Sequence, residues 1–188
     1  MSGGFEMKLL AIVGTNADFS FNRLLANFIA KRYGDKAEIE VAEINNLPLF
    51  ARDGEADENV EAFRKAVKEA DGVIISTPEY DHAVPSSLKS ALEWLGSHSG
   101  ANVIKLKPTL VVGVSLGGQG ASRAQEDARE ILLSPDMSAN VLPGNELLIG
   151  RAYSNFNKET GELVNEDIVK QLDSVMDAFA QFVLQATK

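Results

Sequence analysis

Three stretches of this chain, Lys8 to Val13, Gly72 to Thr77 and Pro108 to Ser115, are apolar almost throughout and too short for ordinary helices. A strand with one wet face alternates polar and apolar residues. A strand that is apolar on both faces has to be covered on both, as in a parallel sheet. Between these runs, apolar residues recur at helical spacing: Leu24, Leu25, Phe28 and Ile29, then Val60, Phe63, Val67 and Ala70. The same spacing returns in Leu88, Ala91, Leu92 and Leu95, in Ala124, Ala128, Ile131 and Leu132, and in Ile168, Leu172, Val175, Met176, Phe179 and Val183. Glu38 to Ile44 alternates like a strand nearer an edge, and Val141 to Ile149, interrupted by Pro143-Gly144, reads as a short broken strand. Five strand–helix repeats predict an α/β fold, a doubly wound five-stranded parallel sheet with helices on both faces. Right-handed crossovers and two-sided coverage leave few topologies, of which the strand order 2-1-3-4-5 fits five strands.

A chain of 188 residues with 45% hydrophobic residues is long enough for one domain with a real core. The domain is expected to cover residues 7–188, with Met1 to Glu6 an irregular start or tag remnant before Met7. No apolar run approaches the ~20 residues that cross a bilayer, and no basic segment followed by an apolar stretch marks a secretory signal. With zero cysteines there can be no disulfide, thiolate metal site or cysteine nucleophile, and the expected location is the cytoplasm. A net charge of -9 argues against nucleic acid, which needs a basic face. Two histidines, His82 and His98, give no basis for a histidine-rich metal site; His82 reads as a loop hydrogen-bonder and His98 as a solvated helix-end residue.

In a sheet of this order, ligands bind beyond the carboxyl ends of the strands where the winding reverses. Strands 1, 3 and 4 bring three loops together there. The first, Gly14 to Asn22 ("GTNADFSFN"), carries Thr15, Asn16, Ser20 and Asn22 ahead of a helix, and hydroxyls, amides and free helix N–H groups suit a phosphate. Helix capping is the other role open to Ser20 and Asn22. The loop matches neither the G-x-G-x-x-G fingerprint nor a Walker loop. The second, Thr77 to Pro85, puts Pro78, Glu79, Tyr80 and Asp81 at a strand end, where Tyr80 offers a ring and a hydroxyl to a flat ligand. The third includes Ser115, Leu116, Gly117, Gly118 and Gly120. Residues 113–117 also fit G-x-S-x-G, the nucleophile turn of serine hydrolases. That chemistry needs a histidine base, which in this chain order follows the serine, and both histidines precede Ser115. A ligand-holding loop is the better reading. Trp94, on a helix, reads as core or a subunit contact rather than a cofactor stacker.

The segments "LPLFARD" (Leu47 to Asp53), "TPEYDHAVPSSLKSALEW" (Thr77 to Trp94) and "GGQGASRAQ" (Gly117 to Gln125) carry a family resemblance from about Met7 onward. The chain resembles the NAD(P)H-dependent FMN reductases of flavodoxin-like fold, a group that includes bacterial quinone, azo-dye and chromate reductases. The resemblance implies that Thr15, Ser20, Phe21 and Asn22 hold the FMN phosphate, that Pro78 to Asp81 contact the flavin ring and ribityl chain, and that Ser115 to Gly118 line its other edge. It implies NADH or NADPH as co-substrate and a hydride passed through FMN to a small acceptor, by a ping-pong cycle with no catalytic side chain. A homodimer or dimer of dimers is also implied, with Leu47 to Asp53 and the Leu88 to Leu95 helix near the partner. A flavodoxin-type electron carrier is the alternative. Two departures stand out: Ala17 occupies the arginine position of the family's first loop, followed by Asp18, and Asp81 replaces an asparagine.

Overall fold

A computed structural model describes residues 7–97 and 100–186, so the readings of Met1 to Glu6 and of His98 lie outside the described residues. The strands are β1 (Lys8–Val13), β2 (Glu38–Ala42), β3 (Gly72–Thr77), β4 (Pro108–Val114), β5 (Asn140–Val141) and β6 (Leu148–Ile149). The helices are α1 (Phe21–Arg32), α2 (Glu58–Glu69), α3 (Ser86–Gly96), α4 (Ser122–Leu133), α5 (Ala152–Asn155) and α6 (Glu166–Ala186). The sheet runs in the expected order β2-β1-β3-β4-β5, every pairing is parallel, and β6 also pairs with β4.

Side chains alternate between the two faces of each strand, and this builds two cores. Leu9, Ala11 and Val13 of β1 join Ile74, Leu110, Val112 and Val114 beneath α1 and α6. Leu10 and Ile12 join Val73, Ile75 and Val111 beneath α2, α3 and α4. The edge differs from the expected single broken strand. Between its two contacts β4 advances from Thr109 to Gly113, while the edge chain advances from Val141 to Leu148, so three extra residues loop out. Gly144, at φ 69°, takes the left-handed conformation this excursion needs. The single turn α5 and the bridge between Phe156 and Leu163 carry no periodic signal in the sequence.

Helix α6 is fastened to α1 by a fork: Arg32 donates from Nε and Nη2 to Asp173, each at 2.8 Å, and the Tyr33 hydroxyl donates to the same carboxylate at 2.6 Å. The hydrogen bond from Arg32, strengthened by that from Tyr33, holds the Asp173 carboxyl down at about 2. Trp94 is core: its Nε1–H donates to the Pro48 carbonyl at 2.9 Å and its ring meets Phe50 edge-on. Among the described residues, no helix is long and apolar enough to cross a membrane.

Candidate functional site

The carboxyl ends of β1, β3 and β4 open into a cavity of about 510 Å³. That is within the ~300–1,000 Å³ usual for small-molecule sites. Of the residues singled out by sequence, Ser20, Phe21, Asn22, Pro78, Glu79 and Tyr80 line it, together with Ser115, Leu116 and Gly117. Thr15, Asn16, Asp81 and Gly118 do not.

The first loop enters helix α1 through Ser20, whose extended backbone (φ -152°) and hydroxyl, accepting from the Asn22 N–H at 3.1 Å, form an N-cap. Beneath the loop, the fully buried Thr15 hydroxyl lies 3.0 Å from the Tyr80 hydroxyl, tying the first loop to the second. The backbone N–H groups of Asp18, Phe19, Ser20 and Phe21 have no protein partner among the described residues, and no acidic residue occupies the first turn of α1. Such a run of free donors at a positive helix end fits a phosphate. The side chain of Asn22 has a different task. Its Nδ2 donates to the Val114 carbonyl at 3.0 Å, and its Oδ1 accepts from the Val114 N–H at 2.9 Å and the Ser76 hydroxyl at 3.1 Å. In the folded chain its amide clamps α1 to the ends of β3 and β4.

Loop one contains no cation, but Arg23 follows it and donates from Nη1 to the carbonyls of Ala17 (2.9 Å) and Asp18 (3.0 Å). The rest of its guanidinium forks onto Glu43 at 2.6 and 2.8 Å. That hydrogen bond raises the Arg23 pKa further, against partial desolvation, and leaves its charge already compensated.

The second loop turns tightly. Tyr80 and Ala83 exchange backbone hydrogen bonds at 3.0 and 3.1 Å around Asp81 (φ 49°) and His82 (φ 70°). Two successive positive φ values make this a type I′ turn. Asp and Asn both tolerate that conformation; Asp81 is exposed at the turn and lies off the cavity wall. His82 is strained there, and His82→Gly is expected to raise stability by about 0.5 kcal/mol, the left-handed strain being offset in part by glycine's freedom in the unfolded chain. Urea unfolding of the two proteins measures this.

Glu79 faces the cavity but also caps α4. Helix α4 starts from Ala121 in a left-handed conformation, with no side-chain cap of its own. The Glu79 carboxylate accepts from the N–H groups of Arg123 (3.0 Å) and Ala124 (3.4 Å), and the Arg123 guanidinium stands 3.5 Å away. In the third loop the Ser115 hydroxyl donates to the Gly117 carbonyl at 3.1 Å, and among the described residues no histidine bonds it. The loop is pinned by Arg151 N–H to the Gly117 carbonyl (2.8 Å) and Ala152 N–H to the Ser115 carbonyl (3.1 Å). The buried Gln125 Nε2 adds bonds to the Gly120 and Leu147 carbonyls. A Cβ at Gly120 would lie 2.4 Å from the Leu148 carbonyl carbon, whereas a Cβ at Gly117 or Gly118 would meet nothing within 4 Å. The protein's own packing requires Gly120 but leaves the space above Gly117 open.

Four lining residues were not singled out by sequence: Phe19, Val114, Gln119 and Tyr153. Phe19 and Tyr153 each meet the Phe21 ring edge-on, centroids 5.2 Å apart, giving the cavity an aromatic wall. Phe19 stands beside a residue already named and was within reach of sequence reasoning. Tyr153 sits in a single helical turn that nothing in the sequence announces.

The family described as NADPH-dependent FMN reductase matches residues 7–154. The NADH-dependent flavin reductase subunit 2 of Lactobacillus johnsonii is 60% identical over 97% of this chain and 100% of that protein. The subunit CrdA of the NADH:(hydroxy)cinnamate reductase of Vibrio ruber is 43% identical over 97% and 90%. The quinone reductase of Escherichia coli K12 is 30% identical over 95% and 96%. Among solved structures, the flavoenzyme NAD(P)H:(acceptor) oxidoreductase FerB of Paracoccus denitrificans superposes with a TM-score of 0.85 at 26% identity, over 96% of this chain and 98% of that one. A cavity lined by a donor-rich loop, an open glycine loop and an aromatic wall is in keeping with these likenesses. The chain belongs to the NADPH-dependent FMN reductase family, enzymes that use FMN with NAD(P)H.

Proposed function

We propose that this enzyme passes a hydride from NADH or NADPH through bound FMN to a small acceptor, a flavin, a quinone, an azo compound or a metal oxyanion, in a ping-pong cycle. The observation that carries the reading is the cavity over β1, β3 and β4, whose three loops each offer one part of an FMN site. FMN, when bound, supplies the ring that accepts the hydride and hands two electrons on. The protein supplies position. The free amides from Asp18 to Phe21 hold the phosphate, the loop of Pro78 to Tyr80 borders the ring, and Gly117 leaves room for it. The exposed Tyr80 and Tyr153 rings border an open face on which donor and acceptor lie in turn. No side chain is needed as an acid or base.

The name of the relative at 60% identity supports NADH as donor and flavin as acceptor. Two of the relatives are named as subunits, which supports assembly with further chains. We read the assembly as a homodimer, with Leu49, 77% exposed on a segment packed against α3, facing the partner. A cysteine-free chain of this kind is proposed to work in the cytoplasm. Anaerobic mixing of purified protein, FMN and NADH should bleach the flavin within seconds. A flavodoxin-type carrier would leave the flavin yellow, and that result would refute the enzymatic reading.

A further inference from the structure

The cation that the first loop lacks is supplied from elsewhere in the chain. Lys158 follows α5 in the turn that leads to α6, outside residues 7–154 matched by the family. Its ammonium stands over the Tyr153 ring, 4.1 Å from the centroid, and 6.0 Å from that of Phe19. Phe19 immediately precedes the Ser20 cap, and its N–H is among the free donors of the loop. Lys158 therefore stands on the aromatic wall, over Tyr153 and within reach of the loop-one ring Phe19, and among the described residues no carboxylate lies within ion-pair distance of it. Two other cations near the cavity are engaged: Arg23 is forked onto Glu43, and Arg123 pairs with Glu79.

A phosphate bound to the amides of Asp18 to Phe21 would carry a charge near -2, with Asp18 beside it. Neutral donors and a helix end offset that charge only in part. A lysine on a flexible four-carbon stem, held only by ring faces, leaves them readily for a stronger anion. Resting on the proposed FMN site, we propose that Lys158 is a binding residue for the FMN phosphate, standing in for the arginine that Ala17 replaces.

The test is a fluorescence-quenching titration of wild type, Lys158→Met and Lys158→Arg with FMN and with riboflavin, in the absence of NAD(P)H, at low and high salt. Lys158→Met should weaken FMN about tenfold at low salt, one charge-assisted contact after solvent screening, and less at high salt. Riboflavin should be unaffected, Lys158→Arg should stay near wild type, and melting temperatures should stay within a degree or two because the side chain is exposed. Unchanged FMN affinity in Lys158→Met would overturn the assignment. So would an equal loss for FMN and riboflavin, which would make Lys158 a support of the aromatic wall. If wild type itself does not prefer FMN to riboflavin, the phosphate site falls, and Lys158 with it.

Discussion

Replacing Asn22 by leucine is expected to lower stability by about 4 kcal/mol, with a fall in the urea midpoint and an unchanged slope. Three polar groups lose their partner at once: the N–H and carbonyl of Val114 and the hydroxyl of Ser76. Both residues are buried, at 1% and 0% exposure, so water does not readily replace the lost bonds. Each unsatisfied buried group costs about 1–3 kcal/mol. A loss of that size consumes a large part of the ~5–15 kcal/mol that holds a domain together. Whatever protein remains folded should lose FMN and riboflavin alike, since loop one has come away from β4. Stability within 1 kcal/mol of wild type, with a loss selective for FMN, would return the Asn22 amide to the phosphate.

Asn22 also shows where sequence reading ends. Its residue type, at the mouth of a loop, suits a phosphate as well as it suits a clamp. Its actual partner, Val114, lies 92 positions away, and only the folded sheet brings the two together. Glu79 is a similar case: the turn it sits in was legible, but its duty as a cap for α4 depends on Ala121 leaving that helix without one. The sheet was legible because each central strand is apolar on both faces and the two cores divide by residue parity. Pairs such as Leu9 and Leu10 had to go to opposite sides. The third layer of the site was not, because α5 has four residues, too few to show a period, and it carries Tyr153. The Asp81 departure was legible in the sequence, but the turn it occupies, with positive φ at both 81 and 82, was not.

A second large effect is expected at Gly117, where stability and binding should separate. A Cβ there meets nothing within 4 Å and the residue lines the cavity, so Gly117→Leu places four carbons in space that the protein itself does not use. The fold should be indifferent: surface substitutions with no clash and no lost partner stay within about 0.5 kcal/mol. A flat ligand lying on that loop cannot be indifferent. Displaced from the glycine backbone, it should lose at least about tenfold in affinity, equivalent to ~1.4 kcal/mol, and reductase activity should fall with occupancy. The decisive measurement is therefore one titration of FMN fluorescence against wild type and Gly117→Leu, beside urea unfolding of both without FMN. The account predicts saturable 1:1 quenching by wild type, a loss of tenfold or more in the variant, and coincident unfolding curves. Equal FMN affinity in two equally stable proteins would contradict it, and would mean that the flavin does not lie over the loop that leaves β4.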